Sequence, residues 1–200
     1  MTPKTFFVSD THFGHKNICE YSNRPWANVD EMNVGMIRLW NETVKEHDHV
    51  YHLGDFAFAR TLSDVQDYAC QLNGHIHLIL GNHDQLLRKE WEKNQSVPDD
   101  AWPFESIQEY AEVTIGKQLL VLGHYSFRVW NKSHHGSWNL FGHSHGHLPS
   151  PPDMQSMDVG VDATKVYRPI TFDEVADFMS HKKWVPPVRR PRTREENLVF

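Results

Sequence analysis

The hydrophobic pattern changes character partway along the chain. In the first half, short apolar runs alternate with longer amphipathic stretches. Residues 4–9 (KTFFVS) form a β-prone run with Asp10 at its exit. Asn28 and Glu31 then have the spacing of a capping box, and Val29, Met32, Met36, Trp40 and Val44 recur at helical intervals. Residues 49–53 (HVYHL) read as a second strand ending in Gly54-Asp55, and 62–72 as a helix stopped by Asn73-Gly74. Residues 75–80 (HIHLIL) read as a third strand, followed at once by Gly81-Asn82-His83-Asp84. Strands alternating with helices predict an α/β layered fold. In such sheets ligands bind at the carboxyl ends of the strands, where the polar residues sit here.

From about Tyr110 the pattern tightens into closely spaced strands. Residues 112–115 and 118–122 flank Gly116-Lys117, a hairpin signal, and 138–141 and 157–161 are further strand candidates. Residues 171–181 close the pattern as a helix with Thr171 as cap and Glu174 three positions on. Residues 182–200, rich in proline and arginine, read as a flexible tail, which leaves 1–181 as one domain. No internal repeat is present.

Charge sharpens this division. The net charge of −6 splits into −10 over residues 1–181 and +4 over 182–200. So acidic a body offers no broad footprint for nucleic acid, although the tail offers a small one. No apolar run approaches the roughly 18–20 residues of a membrane span, and MTPKTFFVSD turns polar too early for a signal peptide. Cys19 and Cys70 are too few for a disulfide framework. They are expected to be reduced thiols in or near the core, which suits a cytoplasmic protein.

The chemistry is carried by a subset of the fifteen histidines. Five motifs fall in loops after predicted strands: Asp10-Thr11-His12, Gly54-Asp55, Gly81-Asn82-His83-Asp84, Gly123-His124 and Gly142-His143-Ser144-His145. Carboxylate, imidazole and amide donors suit hard or borderline divalent metals, and the lack of cysteine argues against a thiolate site. Taken singly each motif reads equally well as a cap or a turn; their order and spacing together do not.

These five ordered blocks resemble the calcineurin-like metallophosphoesterase superfamily, and the wider wording (SDTHFGHKNI, VYHLGDF, LILGNHD, FGHSHG, MDVGVD) is similar to small enzymes of bacteria and phages. The resemblance implies a four-layer αββα sandwich, two mixed sheets flanked by helices. It implies two divalent metal ions, manganese foremost, with iron, zinc, nickel or magnesium as alternatives. Asp10, His12, Asp55 and His145 would hold one ion, and Asp55, Asn82, His124 and His143 the other, with Asp55 bridging. A carboxylate has two oxygens to share between cations, whereas a neutral imidazole offers one free nitrogen. Ions roughly 3.5–4 Å apart clamp an in-line displacement at phosphorus, with hydroxide held between them as nucleophile. His83 would touch phosphate and protonate the leaving oxygen, and Asp84 would support it. Asn17, Arg24 and Arg128 are candidate phosphate contacts, arginine because its fork matches phosphate oxygens.

The reading is therefore a phosphomonoesterase or phosphodiesterase with a small, nucleotide-like substrate. Its rivals are a nuclease acting on nucleic-acid ends and a scaffold that keeps the fold without catalysis. Protein phosphatases of the family extend Gly-Asp into Gly-Asp-x-x-Asp-Arg-Gly, whereas this chain runs Gly54-Asp55-Phe56-Ala57-Phe58-Ala59-Arg60. His47, His49, His75, His77 and His181 are expected to be exposed or structurally satisfied. His15, His52, His134, His135 and His147 lie nearer the motifs. Trp130 and Trp138 bracket a loop between two of the ligand blocks and could wall a base-binding pocket.

Overall fold

The first strand, TFFV, is almost wholly apolar because both of its faces are covered. The computed structural model describes residues 2–94 and 102–186. Strands β1 (Thr5–Val8), β2 (His49–His52), β3 (His75–Ile79) and β4 (Ser106–Gln108) lie side by side in parallel. The register sets Phe7 beside Tyr51 and Tyr51 beside His77. Phe6, Val8, Val50, Ile76 and Leu78 point to one face, and Phe7, Leu53 and Ile79 to the other.

The first face is covered by helices. Between β1 and β2 the chain forms α1 (Ile18–Tyr21) and α2 (Val29–Thr43), and between β2 and β3 it forms α3 (Leu62–Ala69). On α2, Met32, Met36 and Trp40 make one buried stripe, and the Trp40 indole N–H reaches the Asn73 carbonyl at 2.9 Å. Asn28 caps this helix as expected, by accepting the Glu31 N–H; the Glu31 carboxylate answers to the Asn28 side-chain amide and the Ala27 N–H. Thr61 with Asp64, and Thr171 with Glu174, form complete capping boxes. Helix α4 (Gln85–Asn94) follows β3 and was not predicted.

The second half forms β5 (Tyr110–Ile115), β6 (Gln118–Gly123), β7 (Trp138–Phe141) and β8 (Ser156–Asp158), a sheet in that order. The predicted hairpin is β5–β6, antiparallel, while β6–β7 and β7–β8 are parallel. The segment predicted as one strand over 157–161 divides. It leaves β8 after Asp158, turns through Gly160 and enters α5 (Val161–Thr164). Strand β9 (Ile170–Thr171) then joins β1 antiparallel, and α6 (Phe172–Ser180) ends the fold.

Both sheets are thus mixed and face each other across a core of Phe7, Leu53, Ile79, Leu120, Leu122 and Leu140, with Val175 and Met179 of α6 joining it. No helix among the described residues is long and apolar enough to cross a membrane. Two expectations need correction. Cys70, at the end of α3, is exposed and not near the core. The basic segment does not leave the domain at residue 182: the Lys182 ammonium donates to Pro151 O, the Lys183 N–H to Pro152 O, and Trp184 packs over Gly136. Residues 187–200 of that segment lie outside the described residues.

Candidate metal centre

Five loops leave the carboxyl ends of β1, β2, β3, β6 and β7 and meet at one end of the sandwich. Their backbones are bent into an unusual conformation. Of the nine described non-glycine residues with positive φ, five are Asp10, His12, Asp55, His143 and His145, at φ between 48° and 67°. Such a backbone is disfavoured for residues with a Cβ, and it concentrates where function requires a particular side-chain aim. The packing leaves no slack: a side chain at Gly81 would strike the Asp55 carboxylate, and one at Gly142 would strike Ser9 and Asp10.

Two groups of three side chains could each hold a metal ion, Asp10 with His12 and His145, and Asp55 with His124 and His143. The ligand atoms within each group lie within 4.8 Å of one another. Asp55 stands between the groups, its Oδ2 lying 3.6 Å from His12 Nε2 and 3.5 Å from His124 Nε2. Asn82 joins the second group, with its amide oxygen 3.0 Å from His124 Nε2.

The donors fit a cation on grounds of their own. His124 gives its Nδ1 proton to the Leu53 carbonyl at 2.7 Å. Burial lowers its pKa, so Nε2 keeps a lone pair that faces the Asn82 and Asp55 oxygens. The His124 lone pair converges with the Asn82 and Asp55 oxygens, an arrangement that a cation satisfies. On the other side, neither ring nitrogen of buried His12 has a hydrogen-bond partner. Burial holds its pKa well below the usual histidine range, so the ring stays neutral and able to ligate. Without a cation, burial also pushes the Asp10 carboxyl up to about 7, against the opposing pull of His145. Buried carboxylates and imidazoles in this state lack a positive partner.

Outer contacts hold the rings in place. His145 donates from Nδ1 to Asp162 at 2.7 Å, which leaves Nε2 directed toward Asp10; that hydrogen bond raises the His145 pKa. Burial alone would raise the Asp162 carboxyl, but the His145 and Arg24 bonds outweigh it and hold it below the ordinary range. A carboxylate behind a ligating histidine fixes both its tautomer and its aim. Asp162 and Asp158 both fall in the MDVGVD block, but nothing in the sequence sets either apart as a functional residue. Asp158 accepts the Ser144 hydroxyl and the Gly146 and Gly160 N–H groups, and so shapes the loop that carries His145.

Arg24 was expected to contact phosphate, and the structure corrects this. Its guanidinium is fully buried, pairs in a fork with Asp162 at 2.8 and 2.9 Å, and donates to the carbonyls of Asp10 and Thr11. Its donors are committed to holding the first loop and Asp162 together. Asp84 is corrected in a similar way. It is wholly buried, and its two oxygens accept the N–H groups of Gly81, Asp55 and Phe56. It therefore ties the second and third loops to each other through the backbone and does not brace the His83 ring.

The remaining candidates divide. His83 is exposed, its N–H donates to Asp55 Oδ1 at 2.8 Å, and its ring stands edge-on to His12 at 5.3 Å. Asn17 is exposed at the start of α1, with its amide on the Tyr21 hydroxyl. Arg128 is exposed in the segment after His124. His52 is a buried structural residue. Thr11 gives its one proton to Phe56 O, so His52 Nε2 must donate to the Thr11 hydroxyl. Of the two tryptophans, Trp130 bonds through its N–H to Ser137 O and Trp138 stacks on Phe172.

Comparison with known proteins bears on the family and the fold. The family described as the Calcineurin-like phosphoesterase superfamily domain matches residues 4–156. An uncharacterised protein of Methanocaldococcus jannaschii is 31% identical over 188 residues, covering 91% of this chain and 94% of that protein. The gene 66 protein of Mycobacterium phage L5 is 26% identical over 198 residues, covering 88% and 94%. A solved protein of unknown function from Aquifex aeolicus superposes with a TM-score of 0.64 at 19% identity, covering 88% of this chain and all of that one; it shares the fold.

Proposed function

Because the chain belongs to the calcineurin-like phosphoesterase superfamily, we propose that it hydrolyses a phosphomonoester or phosphodiester with two divalent metal ions. The observation that carries this reading is the Asp55 carboxylate, set between two groups of carboxylate and imidazole donors with the exposed His83 beside them. Asp10, His12, Asp55 and His145 would hold one ion, and Asp55, Asn82, His124 and His143 the other. Manganese heads the choices, given the oxygen and nitrogen donors. Such ions supply a hydroxide nucleophile at neutral pH and neutralise charge on a phosphoryl group.

The protein's own groups do the rest. Asp162 and Arg24 keep the His145 ring aimed, so that it need not reorganise when a cation binds. Asp84 fixes the loop that carries Asn82 and His83 against the loop that carries Asp55. His83 is the free imidazole of the group, and it would donate its proton to the leaving oxygen. The acidic body favours a small substrate, because a long polyanion would be repelled outside the site.

The test is hydrolysis of simple mono- and diesters by manganese-loaded protein. Wild type should turn over at least one class, and Asp55→Asn should bring the rate to background while losing bound metal. Turnover that survives Asp55→Asn with its metal content unchanged would overturn the reading.

A further inference from the structure

Beside the metal centre lies an open cleft of about 760 Å³, whose walls take no part in the chemistry described so far. It arises because the loops after β1 and β2 continue side by side past the sheet, joined by a parallel bridge between Phe13 and Ala57. Tyr68 of α3 lies beneath them, with its ring stacked on Phe13 at 5.4 Å. The volume falls within the roughly 300–1,000 Å³ typical of small-molecule sites.

The cleft and the metal centre share a wall. The Phe58 ring stands 4.6 Å from His15 and 6.1 Å from His83, and His15 in turn lies 5.7 Å from His12. Phe58 and Tyr21 are 55% and 68% exposed, which leaves large aromatic faces in water at the mouth of the site. Core packing does not account for them, and such faces stack well on planar bases. The polar lining is mixed. Lys16, Arg60 and Asn17 lie on the loops, while Asp64 and Asp67 lie on α3. Opposed charges of this kind do not make a funnel for a polyanion, yet they offer donors and acceptors to sugar hydroxyls and a heterocycle. Asp64 is partly committed already, accepting the Arg60 and Thr61 N–H groups.

We propose that this cleft holds the nucleoside part of a mononucleotide-sized phosphoester, with Phe58 as the residue that decides specificity for the base. The proposal rests on the phosphoesterase reading and deepens it. The base lies against Phe58, the sugar meets Asn17 and the acidic side of α3, and the phosphate reaches the ligand loops past His15 and His83.

The experiment uses the full chain with manganese and two methyl phosphodiesters, one of adenosine and one of glycerol. It adds calorimetric binding of adenosine monophosphate, a readout that does not depend on turnover. Wild type should prefer the adenosine ester in kcat/KM by about tenfold or more, the scale of one stacking contact. Phe58→Ala should erase about tenfold of that ratio, mainly through KM, and weaken adenosine monophosphate binding in step; Phe58→Trp should restore both. Equal use of the two esters by wild type would overturn the proposal and leave the phosphoesterase reading intact. So would a Phe58→Ala change that scales both esters alike with nucleotide binding unmoved. Hydrolysis of neither ester would count against the phosphoesterase reading, and nucleotide binding that drops in Phe58→Ala would still support the cleft.

Discussion

The same strands carry a histidine cluster at each end, and the two clusters are built on different terms. At the amino ends of β2 and β3, His49, His75 and His77 stack with ring centroids 5.2 and 5.3 Å apart. His49 Nδ1 meets His77 Nε2 at 3.0 Å, His77 Nδ1 meets the Ser106 hydroxyl, and His75 Nδ1 meets Glu105. Their backbones are ordinary strand, and their polar atoms answer one another. At the carboxyl ends His12, His143 and His145 sit in left-handed backbone among buried carboxylates, with the nitrogens of His12 unpartnered. Residue type does not distinguish the clusters. Backbone strain, buried carboxylates and unpartnered ring nitrogens do, and they mark the carboxyl-end group as the candidate metal centre.

The contrast can be broken by mutation, and the largest expected effect is at His83. His83→Ala should keep its metal content and slow hydrolysis by about 10²–10⁴ if the ring protonates the leaving oxygen. The loss should shrink for a nitrophenolate leaving group and grow for an alkoxide. Metal analysis with rates on both substrates decides between roles: a metal-depleted variant makes His83 a ligand, and equal losses make it a phosphate-binding group.

Asp162→Asn comes next. It leaves the buried Arg24 charge without its carboxylate and removes the anionic partner of His145. Metal affinity should fall about 10–100-fold, as for other outer-shell partners. Stability should drop by about 3–5 kcal/mol, the usual cost of breaking a buried ion pair. A denaturant titration of metal-free protein separates the second effect from the first.

A smaller effect is expected from pH. Burial holds His52 neutral, its pKa lowered from 6.5 to about 3. Between these values the unfolded chain binds the additional proton, so stability rises with pH across that window and is lost as pH falls through it. His52→Gln, which keeps a donor for Thr11, should flatten the pH dependence of metal-free stability by up to about 1.4 kcal/mol per pH unit. An unchanged slope between pH 4 and 6 would show that His52 takes up its proton in the folded state.

The smallest effect belongs to the other cluster. His77→Phe should leave the metal content and the rate within about twofold of wild type, because nothing at that end serves the site. A metal loss comparable to that of Asp162→Asn would erase the distinction between the two clusters.

What could be read from the chain follows from how local each signal is. Strands β1, β2 and β3, though not β4, were legible as short β-prone runs closed by glycine or polar residues, and α2 and α6 because caps and apolar spacing coincide. Helix α4 was not, since half of its QLLRKEWEKN run is charged. The ligand loops were legible as dense blocks of rare residue types. Arg24 was misread because a guanidinium fork matches a carboxylate as well as a phosphate, and its partner lies 138 positions away in sequence. Asp84 was misread because sequence neighbours suggested a bond to His83, whereas its oxygens turn inward to backbone N–H groups. Phe58 and Tyr21 carried no signal at all, because exposure of an aromatic residue is a property of the fold.

The central claim is that the carboxyl-end cluster holds two ions sharing Asp55 and the amino-end cluster holds none. Crystals grown with excess manganese, measured at its absorption edge, test this most directly. Two anomalous peaks flanking the Asp55 carboxylate, with none at His49 and His77, are the expected result. A single peak with Asp55 unligated, or a peak between His49 and His77, would contradict it.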